Sequence, residues 1–316
     1  MGGHITRYIQ SNHPDWDIHG ISRSLPVWNF LPGHEQIAGA IEFHQGDLLN
    51  AARTRQLVKE IDPDFILHLA AFSSVGESWQ KPVEAVLNNT NAFLNVVEAV
   101  RLNNCCCRIV SVGSSEEYGI VDPSQLPIHE DARPRPANPY AVARVSQENL
   151  AQIYMQGYHL DICSTRSFNH IGPGQRIQFV VSSIADQFAK IAVNRGRDSP
   201  VISIGNGSIV RDFIDIEDVI RAYDILFTNG KTGETYNICT GKGHSIADIV
   251  RIFSEMLDIS VDIEQQNTLL RPIDNPILVG SYEKIHAHTG WEPHVSIEES
   301  LRKIYSYWFD QESAKI

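Results

Sequence analysis

The sequence has no apolar run long enough to span a bilayer and no run of lysines or arginines. The first absence argues against a membrane-spanning helix. The second argues against a surface that tracks nucleic-acid phosphates. Cysteine is scarce: there are five, three of them adjacent at Cys105, Cys106 and Cys107. An odd number in that spacing is no disulfide framework and suits reduced thiols in a cytoplasm. Adjacent cysteines do not easily all face one ion, so the triplet reads as a structural loop-to-strand transition and no metal site is expected. His286, His288 and His294 are too loosely spaced to change that expectation. The N-terminus has neither a charged n-region nor an apolar h-region, so a cytoplasmic location is expected. Basic residues number 26 against 38 acidic ones, for a formal net charge of −12.

Another lack concerns the beginning of the chain. A dinucleotide-binding fold places a hydrophobic strand and a glycine-rich turn before its first helix. Here Met1-Gly2-Gly3-His4-Ile5 opens directly into a helical pattern, and residues 17–23 read as the strand that follows. The expectation is that a first strand, central in a doubly wound sheet, lies upstream of the stated start. The acidic residue that would close the second strand on a ribose 2′-hydroxyl is missing too. Ser22-Arg23-Ser24 stands there instead. An arginine at that point favours a 2′-phosphate and therefore NADP, a solvated strand-end arginine being the alternative.

What is present is enough apolar residue, 42% of 316, to bury a large core. Strands are predicted near 40–43, 65–71, 108–113, 160–165, 201–204 and 235–238. Helices are predicted over 54–61, 82–100, 140–157, 217–227, 245–257 and 297–308. Strand–helix alternation predicts an α/β, Rossmann-like, doubly wound parallel sheet, with a smaller C-terminal lobe. The small residues at the carboxyl end of the 65–71 strand, Ala70-Ala71 after Leu69, would let a cofactor approach the backbone. Gly205-Asn206-Gly207-Ser208 reads as a hairpin turn.

The richest stretch runs from 108 to 144. A buried strand ends in Gly113-Ser114-Ser115-Glu116-Glu117-Tyr118-Gly119, and a proline-rich loop leads to Asn138-Pro139-Tyr140. Asn138 is a good N-cap and Pro139 suits the first helical position, which puts Tyr140 in the first turn. Arg144, four residues on, shares its face. A phenol beside a fixed cation, aimed at a hydroxyl and a carboxylate on a strand end, is a proton-transfer constellation.

These motifs resemble the extended short-chain dehydrogenase/reductases, specifically the group handling GDP-mannose derivatives. The likeness rests also on His68-Leu69-Ala70-Ala71, Phe168-Asn169-His170-Ile171-Gly172-Pro173-Gly174-Gln175, Arg211-Asp212-Phe213, Leu270-Arg271-Pro272 and Gly290-Trp291-Glu292-Pro293. The resemblance implies an NADP-binding domain over 1–166, with 209–240 returning to it, and a sugar-nucleotide lobe over 167–316. It implies that Tyr140 is the acid/base, that Ser114 bonds the same oxygen, and that Arg144 stands where the family has lysine. It places Gly3, Arg23, Asp47, Leu48, Leu69, Ala70, Ala71, Asn89, Tyr140, Arg144 and His170 around the cofactor. Asn169, Phe179, Val180, Arg211 and Arg271 would meet a GDP-sugar, the two arginines as diphosphate clamps or, alternatively, as ion pairs. Phe179 and Val180 suit the base region or the core equally.

Two reactions of the group compete. The Phe168 to Gln175 wording resembles the reductases that convert GDP-4-keto-6-deoxy-D-mannose to GDP-D-rhamnose. Glu116 occupies the place of the C5 base of the 4,6-dehydratases, or else orients substrate in a reductase. A nucleotide-sugar-binding or assembly protein is the third reading, motivated by Arg144 and by the missing first strand. The helices near 82–100 and 140–157 resemble the family's dimerising pair, so a homodimer or homotetramer is expected.

Overall fold

The computed structural model describes residues 1–26, 28, 31, 34–194, 200–270 and 272–315, the side chains of His34 and Gln36 excepted. The chain opens with α1 (Gly2–Asn12), β1 (Ile18–Ser22), α2 (His34–Gly39), β2 (Ile41–Gln45), α3 (Ala51–Ile61) and β3 (Phe65–His68). It continues through α4 (Val75–Gln80), α5 (Pro82–Asn103), β4 (Arg108–Ser114), α6 (Pro139–Tyr158) and β5 (Asp161–Ser167). Then come β6 (Asn169–Ile171), α7 (Val180–Asn194), β7 (Val201–Ile204), β8 (Val210–Asp215), α8 (Ile216–Asn229) and β9 (Thr235–Ile238). The remainder is β10 (Gly243–Ser245), α9 (Ile246–Leu257), β11 (Asp262–Gln265), β12 (Ile277–Leu278), α10 (Glu283–Thr289) and α11 (Ile297–Ser313). Among the described residues no helix is long and apolar enough to cross a membrane.

Parallel pairing in the order β3-β4-β5-β9 makes the main sheet. Its strands are buried on both faces, as parallel sheets require, because successive side chains point to opposite sides. Ile109 and Ile162 pack with Phe93, Val97 and Tyr154 of α5 and α6. Their neighbours Val110 and Cys163 pack instead with Val219, Tyr223 and Leu226 of α8. β1 and β2 pair in parallel with each other and, among the described residues, with no strand of the main sheet. α1 lies along α8, where Tyr8 donates to Asp224 at 3.2 Å and His13 Nε2 sits 2.8 Å from the same carboxylate.

The second lobe holds a mixed sheet in which β8 pairs with β6, β10 and β12. Its core joins Phe188, Phe253, Ile202, Leu301 and Ile304 from α7, α9, β7 and α11. The two lobes interleave more than the sequence reading had it. Of 209–240, β8 stays in the second lobe, while α8 and β9 return to the first. α10 and Trp291 also pack on the first lobe, Trp291 donating to Asp218 O at 3.1 Å. Trp291 buries its large apolar ring there to 3% exposure while its indole N–H finds a carbonyl partner.

The expected hairpin at Gly205 to Ser208 is not there. β7 pairs in parallel with β11, and β8 belongs to another sheet. The turn is built by Asn206, whose side-chain oxygen accepts from the Ser208 amide at 3.0 Å, so it redirects the chain between sheets. α7, a 15-residue apolar helix, lies in a span for which the sequence reading named no element.

Candidate active site

Parallel strands bring their carboxyl ends to one edge of a sheet, where ligands of this fold class bind. At that edge β4 delivers Ser114, and a tight turn follows because two glycines permit it. A Cβ on Gly113 would meet Thr165 O at 2.4 Å and Glu117 Oε1 at 2.5 Å. Gly119 has φ +65°, and a Cβ there would fall on the Arg135 carbonyl. Between them the fully buried Glu117 folds back and accepts the Ser114 amide at 2.7 Å. Ser114 Oγ in turn accepts the Glu116 amide at 3.2 Å. The turn is a capping box, and it fixes Ser114. Burial and the Glu148 carboxylate push Glu117 well above the usual carboxylate range, against the Ser114 amide and Arg166.

Asn138 joins this turn to α6. Its oxygen accepts the Ala141 amide at 2.8 Å, and its Nδ2 donates to Glu116 Oε2 at 3.0 Å. Tyr140 therefore enters from the first turn of a capped helix and is buried to 7% exposure. One turn later the Arg144 guanidinium carbon lies 5.2 Å from the Tyr140 ring centroid. Arg144 Nη1 donates to Val112 O at 2.9 Å and to Gln147 Oε1 at 2.7 Å. Gln147 is itself held by the Ser111 hydroxyl at 2.8 Å. Among the described residues, Arg144 Nε is buried with no partner and no carboxylate lies within ion-pair distance of the guanidinium.

Two imidazoles respond to that cation. Burial, then the Arg144 charge, takes His68 down to about 3. Burial, the N-terminal ammonium and Arg144 take His170 down to about 4, and its Nδ1 has no partner among the described residues. Tyr223, bonded to Ser167 Oγ at 2.8 Å, is pushed up to about 12 by burial. The edge thus holds a fixed hydroxyl, a phenol, an unneutralised cation and neutral imidazoles, a set suited to moving one proton at an oxygen.

The other expected residues divide. Arg23 follows β1, is exposed and has no ion pair among the described residues. Leu69 and Ala70 follow β3 half-buried, with Ala71 exposed beside them. Asp47 is exposed and accepts the Leu49 amide at 3.0 Å, while Leu48 O holds Asn95 Nδ2 at 2.8 Å. Asn89 is fully buried, both its amide arms on the Phe72 backbone at 2.6 and 3.2 Å. Those bonds hold the loop after β3. Gly3 is closely packed, since a Cβ would meet Leu31 at 2.8 Å and Trp28 at 3.0 Å.

Asn169 opens β6, in register with Phe213. Phe179 and Val180 are half-buried at the start of α7, Val180 against the second lobe's core. Arg211 is 4% exposed and grips Asp274 at 2.7 Å and Asn275 O at 2.7 Å, so of the two alternatives for it the ion pair is the one formed. Arg271 lies outside the described residues. His286, His288 and His294 go separate ways: to Trp291 O, to the Tyr236 hydroxyl and to Glu292. Glu117 and Gln147 are the supporting residues that motif reading passed over. The Ser-x-x-Glu spacing from Ser114 to Glu117 was the signal available.

Fold and site together define an extended short-chain dehydrogenase/reductase. Comparison with known proteins carries this further. The family described as GDP-mannose 4,6 dehydratase matches residues 2–304, and the chain belongs to that family. It is 31% identical over 308 residues to GDP-6-deoxy-D-mannose reductase of Pseudomonas aeruginosa, covering 98% of this chain and 93% of that one. It is 26% identical over 322 residues to GDP-mannose 4,6-dehydratase of Yersinia enterocolitica, covering 90% and 85%. A solved structure of RMD from Pseudomonas aeruginosa complexed with NADPH superposes with TM-score 0.81 at 28% identity, over 97% and 96% of the two chains.

Proposed function

We propose that the chain is an NADP-dependent enzyme that reduces GDP-4-keto-6-deoxy-D-mannose at C4 to GDP-D-rhamnose. The observation that carries reduction over dehydration is the engagement of Glu116. One of its oxygens accepts from Asn138, the residue that caps the helix bearing Tyr140. A carboxylate tied to the helix start is well placed to position and poorly placed to abstract a C5 proton. The likeness to the Pseudomonas aeruginosa reductase points the same way.

The residues at the sheet edge suit a dinucleotide. Buried Arg144 Nε and His170 Nδ1 lack partners within the described chain and are polar atoms that a ribose or carboxamide would satisfy. Arg23, exposed and without an ion pair among the described residues, suits a 2′-phosphate. NADPH, when bound, supplies the hydride that adds to C4. Tyr140 delivers the proton to the C4 oxygen, so a carbonyl becomes an alcohol with atoms and charge balanced. Ser114 Oγ already accepts from the Glu116 amide, which leaves its own hydrogen to donate to that oxygen. Arg144 stabilises the phenolate left behind through its proximity to the ring. The exposed Val83, Leu87 and Leu102 of α5 and Val142, Ile153 and Tyr158 of α6 support a homodimer or homotetramer through these helices.

The test offers GDP-mannose and its 4-keto-6-deoxy derivative separately with NADPH and identifies products by NMR. The expected result is NADPH oxidation with the keto sugar only. Consumption of GDP-mannose without net cofactor change would replace this reading with the dehydratase. Glu116→Gln separates the two again: a reductase stays within about tenfold, while loss of a dehydratase's base costs about 10²-fold or more.

A further inference from the structure

We propose that His19, Glu42 and His44 form a binding site for a divalent transition-metal ion, zinc foremost, on the β1–β2 pair. The parallel register sets His19 opposite Glu42 and Ile21 opposite His44. Alternation then puts His19, Glu42 and His44 on one face, while Gly20 and Phe43 occupy the other. On that face the three donors converge. His19 Nδ1 lies 3.0 Å from His44 Nε2, His19 Nδ1 lies 3.8 Å from Glu42 Oε2, and His44 Nε2 lies 3.6 Å from Glu42 Oε1.

The geometry matches what zinc asks for. Bonds of about 2.0–2.2 Å to nitrogen and oxygen at tetrahedral angles separate the ligand atoms by roughly 3.3–3.5 Å. The observed separations bracket that range, the two to Glu42 reaching its different oxygens. With one ligand atom from each residue the donors lie within 4.8 Å of one another, so a turn of the exposed carboxylate brings one oxygen toward both nitrogens. The two rings are held nearly parallel, 20° apart with centroids at 5.3 Å. Their side chains are 25% and 16% exposed, while Glu42 is 68% exposed. Two imidazoles are therefore preset by the strands, and one carboxylate closes from the solvent side. Two imidazoles and a carboxylate select a first-row transition ion over calcium or magnesium, which prefer all-oxygen shells. The competing arrangement is a plain hydrogen bond in which one imidazole donates to the other.

The site is distinct in its residues from those assigned to the reduction, so its test is independent of that reading. Full-length protein, stripped with a chelator, is titrated with ZnCl₂ by calorimetry and with CoCl₂ by visible absorption. The expected result is one equivalent of zinc per chain and the intense bands of tetrahedral cobalt. Altering outer-shell partners alone costs roughly 10–100-fold in metal affinity, so His19→Gln and His44→Gln each weaken binding by at least about tenfold. Glu42→Gln, at an exposed position where misfolding is no concern, weakens it too and removes the zinc-dependent rise in thermal midpoint. No zinc uptake overturns the proposal. So does uptake that all three variants retain, which would place the ion elsewhere, for instance on the thiols near Cys106.

Discussion

Arg144 and Arg211 sit in different lobes, each only 4% exposed, and their surroundings differ in kind. Arg211, in the mixed sheet, faces the Asp274 carboxylate and two backbone carbonyls. Arg144, at the edge of the parallel sheet, faces a carbonyl and the neutral amide of Gln147, with its Nε left over. A buried cation matched by a carboxylate organises loops, and its field is largely cancelled. A buried cation matched only by dipoles projects its field onto what lies next to it, here the Tyr140 ring and the two depressed histidines. Equal burial thus hides opposite surroundings: one arginine keeps a polar atom to spare at the sheet edge, while the other is tied to a carboxylate and backbone carbonyls.

The largest effect that tests this comparison is on rate. Tyr140→Phe removes the proton donor and keeps the ring, so kcat falls by about 10²–10⁴-fold with an unchanged thermal midpoint. Initial rates of NADPH oxidation measure it, and activity within tenfold of the parent would place the chemistry elsewhere. Arg211→Met acts in the opposite sense. It leaves Asp274, itself 28% exposed, without its buried partner. The loss should be on the order of 2–3 kcal/mol, below the ~3–5 of a fully buried pair. Urea denaturation reads it, and a rate defect at unchanged stability would make Arg211 a substrate group after all.

A smaller effect is in the acid arm of stability. The reference imidazole titrates at 6.5, and folding lowers His170 to about 4. The unfolded chain therefore binds more protons between those values, so stability is present above pH 6.5 and is lost as pH falls toward 4. Arg144 contributes to that depression, second to burial for His68 and third for His170. Arg144→Met should make the acid arm shallower by up to about 1.4 kcal/mol, the worth of one pKa unit. Arg211→Met should shift the whole curve without changing its slope. Thermal midpoints from pH 4 to 7 distinguish the two.

Much of this was readable in the chain because it is local. The caps at Asn138 and Pro139, the four-residue step from Tyr140 to Arg144 and the β-branched run of β4 each follow from neighbours in sequence. The family followed from the order of short motifs. What was not readable is set by distant partners. Asp274 lies 63 residues from Arg211, and no local pattern announces their pairing. Gly3 resembles a phosphate-turn glycine in sequence, and no local pattern announces that Trp28 and Leu31 close on it. β7 and β8 look like two arms of a hairpin until β11 takes β7 from its neighbour. The second lobe is harder to read than the first for the same reason: its short strands pair across long intervals.

The smallest predicted effect concerns the joint that makes the first region local. Asn138 caps α6 with its oxygen and holds Glu116 with its nitrogen. Asn138→Ala removes both bonds and should cost about 1 kcal/mol, as lost N-caps do. Asn138→Asp keeps the cap and replaces the donor to Glu116 with a second carboxylate. If Glu116 only positions the start of α6, both variants should lower kcat to similar extents, although Asp retains more stability. If the cap alone mattered, Asp would restore rate and stability together. Parallel stability and rate measurements on the pair therefore separate holding the helix from holding the carboxylate, and nothing around Arg211 should respond to either.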